Sequence, residues 1–265
     1  MRFRVEAMLK NGSFSEYTHA PMPLFSSLFQ ACIKWALPTE CILCRKIQPQ
    51  SCCSSCLQNL LLQFNQLKQR CESCGLACNS LRSICNACFI RAPAFDQTYF
   101  LASYQSPLKE ALHRLKYQAR LANAHGIASI WNALMQKMIE GQQADWAIPV
   151  PLSKNKLEER GFNQSWEILR RIYLAKSVEK NPFLLKRHHH LMTQALANRK
   201  ERQVRLKKQF YIEASLRPYL RNKSVIVFDD VMTTGSTLNE IALVLKENGV
   251  KKVINWVILR TPTPY

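Results

Sequence analysis

The stretch Val225-Ile226-Val227-Phe228-Asp229-Asp230-Val231-Met232-Thr233-Thr234-Gly235-Ser236-Thr237, VIVFDDVMTTGST, sets an apolar run against two adjacent carboxylates and a hydroxyl-rich turn that holds one glycine. Val-Ile-Val-Phe has the continuous apolar character of a strand covered on both faces, as in a parallel sheet. Asp229 and Asp230 are therefore expected where that strand leaves the sheet. Two unpaired carboxylates there repel each other and lose solvation, so hydroxyls or a cation should meet them. Thr233, Thr234, Gly235, Ser236 and Thr237 then present consecutive backbone N–H groups and hydroxyls at the start of a helix, an arrangement that cradles an anion. Carboxylates for a diol beside a phosphate cradle fit a ribose 5-phosphate unit.

The flanks support this placement. TLNEIALVLKENGV reads as a helix ended by Gly249, and KKVINWVIL as a second buried strand, which completes a strand-helix-strand unit. Upstream, FDQTYFLASYQSP reads as a strand or hairpin. SPLKEALHRLKYQAR reads as a helix capped by Ser106, with Pro107 at its first position and Leu108, Leu112 and Leu115 on one face. Its opposite face, with Lys109, Arg114 and Lys116, reads as solvated. A second helix is expected over 123–141 and a short strand in DWAIPVPLS. A loop through Gly161 leads to a helix starting near Asn163, and Phe183–Leu185 is a further candidate strand. Alternation of this kind predicts an α/β fold, a mostly parallel sheet with helices on both faces and its ligand site beyond the carboxyl ends of the strands.

Ten of the eleven cysteines lie between Cys41 and Cys88, and eight form C-x-x-C pairs: Cys41/Cys44, Cys53/Cys56, Cys71/Cys74 and Cys85/Cys88. Two such turns close one tetrahedral zinc site. Sequential and crossed combinations of the pairs both satisfy that requirement, and Cys52 and Cys78 stand at spare positions. Disulfides are disfavoured in a chain whose N-terminal stretch lacks the apolar core of a secretory signal. With few apolar residues between the knuckles, metal binding is expected to supply the folding energy of this module. The resulting organisation is an N-terminal segment with an apolar helical pattern over 1–38, a cysteine module over 39–92 and the α/β domain over 93–265. Residues before Met22 show no clear periodicity, which leaves Met22 as an alternative start.

Lysine and arginine number 37 against 18 acidic residues, a formal charge of +19 that favours polyanionic partners, nucleic acid or phosphorylated metabolites. Eight basic residues and one acid fall between Lys186 and Lys208. No stretch approaches the about 20 apolar residues of a membrane span, and the longest candidate, 23–37, is broken by Gln30 and Lys34. A cytoplasmic location is the expectation. His188, His189 and His190 lie in the basic run without acidic partners and read as loop residues rather than metal ligands.

The thirteen-residue stretch resembles the signature of the type I phosphoribosyltransferases, which hold 5-phosphoribosyl-1-pyrophosphate. Together with the cysteine knuckles, FDQTYFLASYQSPLKEALHRLKY, IPVPLSKNKLEERGFNQS and RKER, the chain from about Cys41 to Arg260 resembles the ComF (GntX-like) family of competence-associated proteins. The resemblance implies a double zinc ribbon before a phosphoribosyltransferase-like domain and a role in DNA uptake and natural transformation. It implies that Asp229 and Asp230 bind the ribose hydroxyls and that 233–237 bind the 5-phosphate. Val150, Pro151, Leu152 and Ser153, with Arg160, would form the pyrophosphate side. Arg199 and Arg202 would belong to a mobile catalytic segment, where Ala197-Asn198 and Arg205 depart from the family pattern. The implied cofactors are structural zinc and magnesium with the phosphoribosyl pyrophosphate. The implied partners are that metabolite, single-stranded DNA and, on the protein side, DNA-uptake machinery or a helicase. Support for DNA comes from the charge and from aromatics among basic residues, Phe162, Trp166 and Phe210. The competing readings are an active phosphoribosyltransferase of nucleotide metabolism with an unnamed acceptor, and a regulator that senses phosphoribosyl pyrophosphate.

Overall fold

The continuous apolar run around Val225–Phe228 becomes the central strand of a sheet in the computed structural model, which describes residues 39–66, 70–78, 83–139, 141–188 and 209–261. In chain order, β1 (Thr39–Glu40) and β2 (Ile47–Gln48) pair across the first cysteine knuckle, followed by α1 (Ser54–Gln66) and the one-turn α2 (Asn86–Ile90). The α/β part follows with β3 (Gln97–Ser103), α3 (Leu108–Gln118), α4 (Leu121–Ile139), β4 (Trp146–Pro149), α5 (Lys154–Arg160) and α6 (Gln164–Leu169). After β5 (Glu179–Lys180), β6 (Lys186–Arg187) and β7 (Phe210–Tyr211), a 3₁₀ turn (Ala214–Leu220) leads to β8 (Ser224–Met232), α7 (Ser236–Glu247) and β9 (Lys252–Arg260).

Five strands form one sheet in the order β3-β9-β8-β4-β5, parallel throughout. Its two faces explain the apolar run. Ile226 and Phe228 enter a core that contains Trp131 of α4 and Trp256 of β9. Val225 and Val227 enter the opposite core with Leu238, Ile241 and Leu245 of α7. The Trp131 ring meets Phe228 edge-on at 5.8 Å and lies tilted against Trp256 at 5.3 Å. β6 and β7 form a separate antiparallel pair at the two ends of the basic segment.

The cysteine module is seated on this framework. Glu40 onward belongs to one compact unit, and Ile42 and Leu60 join the core that contains Trp131. Ile42 approaches α4 at Gly126, where an added Cβ would stand 2.7 Å from the isoleucine Cγ2. That close approach requires glycine.

Several local expectations shift. β8 continues to Met232, so Asp229 and Asp230 lie within the strand rather than past its end. Residues 157–160, expected as part of the loop through Gly161, belong to α5, which Gly161 ends in the left-handed region at φ 75°. The candidate strand at 183–185 is displaced: Leu184 and Leu185 are both buried in the second core instead of alternating, and the pairing strand is Lys186–Arg187. α3 starts one residue later than expected, because Ser106 supplies its carbonyl to the Lys109 N–H at 3.0 Å and Pro107 takes the cap position without a side-chain bond. Among the described residues, no helix is long and apolar enough to cross a membrane.

Trp131 is fully buried between the two rings. Trp131→Ala should destabilise the domain by roughly 3–5 kcal/mol, read from the urea unfolding midpoint with the slope unchanged.

Candidate functional site

The end of β8 places two carboxylates in a partly enclosed position. Asp229 Oδ1 accepts from the Ser165 hydroxyl at 3.3 Å and from the Asp230 N–H at 2.9 Å. Asp230 is almost fully buried, and its Oδ2 lies 2.7 Å from Lys116 Nζ, a contact off the preferred hydrogen-bonding directions. One ammonium thus faces two carboxylates. Burial, and then the neighbouring Asp230 charge, push the Asp229 carboxyl up to about 7, against the opposing pull of the Asp230 amide, Lys116 and Ser165.

Immediately beyond, the chain turns through Thr233, Thr234 and Gly235 into α7. Gly235 has φ 82°, and a Cβ there would lie 2.6 Å from Met232 Cε, so both backbone and space demand glycine. Thr234 Oγ1 contacts Ser236 Oγ at 3.0 Å and accepts from the Ser236 N–H at 3.3 Å. Thr233, Thr234, Ser236 and Thr237 are exposed, so their amides and hydroxyls line an open turn at the N-terminus of a 12-residue helix.

The loop after β4 stands beside this turn because β4 and β8 are parallel neighbours, with Pro149 opposite Phe228. Val150 donates its N–H to the Phe228 carbonyl at 2.9 Å, and its own carbonyl accepts from Asn163 Nδ2 at 3.0 Å. The same Asn163 caps α6 by accepting from Ser165 N and Trp166 N. Pro151, Leu152 and Ser153 follow, half-buried, before α5. Arg160 at the end of α5 donates to Gln164 Oε1 at 2.9 Å and lies 5.3 Å above the Tyr117 ring. The structure therefore brings Val150–Ser153, Arg160, Asp229, Asp230 and Thr233–Thr237 to one end of the sheet. Arg199 and Arg202 lie outside the described residues.

The cysteines form two sequential tetrads, Cys41/Cys44/Cys53/Cys56 and Cys71/Cys74/Cys85/Cys88, each with its sulfur atoms within 4.8 Å of one another. A tetrahedral zinc site with Zn–S near 2.3 Å spaces its sulfurs by about 3.8 Å. Cys44 and Cys53 are 3.8 Å apart, and Cys74 and Cys85 are 3.7 Å apart. None of these thiols is in a disulfide. Burial raises the Cys41 thiol, but the backbone amides of Cys53, Cys44 and Leu43 bring it down to about 6. Cys71 is likewise held at about 7 against burial by the amides of Cys74 and Cys85. Cys52 is outside the first tetrad, its thiol pushed up to about 12 by burial and by the charges on Cys41 and Cys53. The donor set and spacing fit zinc in both tetrads.

Sequence reasoning missed four participants. Lys116, assigned to a solvated face, is turned onto Asp230, and Arg114 from the same face donates to the Ile42 carbonyl. Ser165 reaches Asp229, and Arg260 is buried where β9 ends. The apolar spacing of α3 located its buried face, but a single lysine beside that face carries no signal of its partner on a distant strand. The aromatics singled out for stacking are otherwise engaged: Phe210 is core, and Phe162 and Trp166 are half-buried against the first core. Tyr173 and Phe183, 72% and 73% exposed, are the accessible rings nearby in sequence. His188 stacks on Tyr211 at 4.2 Å, and the metal-competent groups among the described residues are the cysteine tetrads alone.

A family model described as a phosphoribosyl transferase domain matches residues 184–265. Competence protein F of Haemophilus influenzae is 29% identical over 229 residues, 83% of this chain and 96% of that protein. The DNA utilization protein YhgH of Escherichia coli K12 is 29% identical over 197 residues, 73% of this chain and 85% of its own length. Competence protein ComFC of Bacillus subtilis is 24% identical over 200 residues, covering 72% and 78% respectively.

Two outcomes follow from the geometry. Purified protein should carry about two zinc ions per chain by elemental analysis, and Cys41→Ser and Cys71→Ser should each lose one of them and lower the melting temperature. Asp229, raised from the ordinary 3.8 to about 7, imposes a burial cost that is full above pH 7 and relieved as pH falls toward 3.8. Asp229→Asn should therefore stabilise the ligand-free protein at pH 8, with the gain over wild type shrinking by pH 5 in denaturant titrations.

Proposed function

We propose, from its similarity to Competence protein F, YhgH and ComFC and from its phosphoribosyl transferase domain match, that the chain is a ComF-type competence-associated protein that binds 5-phosphoribosyl-1-pyrophosphate with magnesium and handles incoming single-stranded DNA in the cytoplasm during natural transformation. The observation that carries the ligand reading is the meeting, at adjacent parallel strand ends, of two carboxylates held by one lysine and a glycine-dependent amide turn. In this reading Asp229 and Asp230 accept the ribose hydroxyls, and the amides and hydroxyls of Thr233, Thr234, Gly235, Ser236 and Thr237 hold the 5-phosphate. Val150, Pro151, Leu152 and Ser153 supply the loop against the pyrophosphate, with Arg160 as its nearby cation, and Arg199 and Arg202 are the proposed cations of the catalytic segment. Magnesium would be held mainly by the ligand's own oxygens beside Asp229 and Asp230 and would supply positive charge to the leaving pyrophosphate.

The carboxylates suit a reaction in which positive charge develops on the sugar as pyrophosphate leaves, because fixed negative charge placed beforehand stabilises it without reorganisation. Lys116 offsets that charge before the ligand arrives. No acceptor is named by these residues, and fold with phosphate site does not specify one. Turnover is thus a separate question from binding. Support for DNA comes from the +19 charge and from exposed lysines and aromatics on the α5 side and beyond, Lys154, Lys156, Tyr173 and Phe183. The relatives named for competence and DNA utilization point the same way.

The test is calorimetric titration of magnesium and phosphoribosyl pyrophosphate into zinc-loaded protein, beside Asp229→Ala/Asp230→Ala. Saturable binding in wild type and its loss, by at least about 100-fold (~2.7 kcal/mol), in the double variant is expected. A folded wild type that binds nothing sinks the ligand reading. Because the carboxylate form of Asp229 is the one that accepts ribose hydroxyls, affinity should fall as pH drops below about 7. For DNA, affinity for an unstructured oligonucleotide should drop steeply with salt; no measurable binding at low salt removes the DNA reading.

A further inference from the structure

β9 ends on Arg260, whose guanidinium is buried between the second cysteine tetrad and the turn after β8. Its Nε donates to the Cys74 carbonyl at 3.2 Å. Its Nη1 donates to the carbonyls of Met232 at 3.1 Å and Thr261 at 2.9 Å, and also to the Thr233 carbonyl. One planar, permanently charged group thus joins a metal-competent knuckle to the two peptide units that open the phosphate turn. A cavity of about 480 Å³ lies along this junction, with Cys88 and Leu76 on the knuckle side and Thr234, Gly235 and Ser236 on the turn side.

The direction of these bonds matters. In a trans peptide, C=O and N–H point to opposite sides of the plane. Pulling the Met232 and Thr233 carbonyls inward onto Arg260 therefore turns the N–H groups of Thr233 and Thr234 outward, the direction an anion must be met from. The charge balance also fits: zinc in a tetrathiolate site leaves about two net negative charges, and a buried guanidinium beside it offsets part of them. We propose that Arg260 is a positioning residue that carries the geometry of the second cysteine tetrad into the phosphate turn, so that metal in that tetrad sets how well the turn holds a phosphate.

The ligand arm of this inference rests on the phosphoribosyl pyrophosphate reading above; the mechanical arm does not. The experiment compares full-length, zinc-loaded wild type, Arg260→Gln and Arg260→Lys by elemental analysis, by amide hydrogen exchange of a peptide spanning 229–241, and by titration with magnesium and phosphoribosyl pyrophosphate. Arg260→Gln should keep its zinc, exchange about tenfold faster across that peptide and bind the ligand about tenfold more weakly. Arg260→Lys should recover part of both, since one ammonium can still reach some of the carbonyls. A folded, zinc-loaded Arg260→Gln with wild-type exchange in 229–241 overturns the proposal.

Should Arg260→Gln not fold, wild type is titrated with a chelator while alkylation of Cys71, Cys74, Cys85 and Cys88 reports release from the second tetrad. Loss of protection in 229–241 together with that release supports the coupling, and protection that survives it overturns the coupling. Wild type that shows the exchange coupling but binds no phosphoribosyl pyrophosphate removes the ligand reading and leaves the Arg260 assignment standing.

Discussion

Two carboxylates at the buried end of the central strand are the constraint around which this site is organised. Asp230 is nearly sealed from solvent and Asp229 is pushed toward neutrality, yet only Lys116 supplies a countercharge at contact distance among the described residues. An arrangement of this kind costs stability in the ligand-free state, because each charge is taken from water for a partial return. It persists because neighbouring elements over-determine it. β8 is pinned on one side by β4 as far as Phe228 and on the other by β9 to its last residue, Met232. α3 and α6 deliver Lys116 and Ser165 from the same side of the sheet. Such a site is poised for a ligand that offers hydroxyls or a cation, since either relieves the repulsion that the apo protein carries.

The cysteine knuckles stand in a different relation to the sheet than a tethered accessory module would. The first inserts Ile42 into the core at Gly126, and Arg114 grips its backbone from α3. The second reaches the end of β9 through Arg260. Both contacts bury polar backbone against the α/β framework, so folding of the knuckles and order at the strand ends are energetically linked. The same α3 that carries Arg114 to the first knuckle carries Lys116, two residues later, to Asp230.

How much of this was legible depends on the range of the interaction. β8, α7 and β9 were legible because continuous apolar runs and a helix-ending glycine are local signals, and the carboxylates and hydroxyls of the turn followed from their place after the strand. Four C-x-x-C pairs announced metal chemistry, while their sequential combination required the fold. Lys116 was misread because a lysine on the polar face of α3 looks the same whether it faces water or a carboxylate 114 positions away. Leu184 and Leu185 were read as strand because adjacent buried leucines and a short strand share composition; only the second core distinguishes them. Asn163 was legible as a helix start but not as the residue that also fixes the Val150 carbonyl.

The parallel register explains why Arg260 could not have been found from its own neighbourhood. β8 and β9 pair Met232 with Arg260, so the last residue of the second strand stands beside the first residues of the turn that follows the other. In a right-handed strand-helix-strand unit whose two strands are sheet neighbours, as β8 and β9 are, the end of the returning strand lies beside the loop that leads into the connecting helix. A long cation at that position can reach the loop carbonyls from behind, leaving the amides free in front. Here the same side chain has a further partner in Cys74, which makes the rear wall of the turn continuous with a metal-competent knuckle. Within the turn the Ser236 N–H is held by Thr234 Oγ1, whereas the restraint on the Thr233 and Thr234 peptide units comes from behind, through the Met232 and Thr233 carbonyls on Arg260.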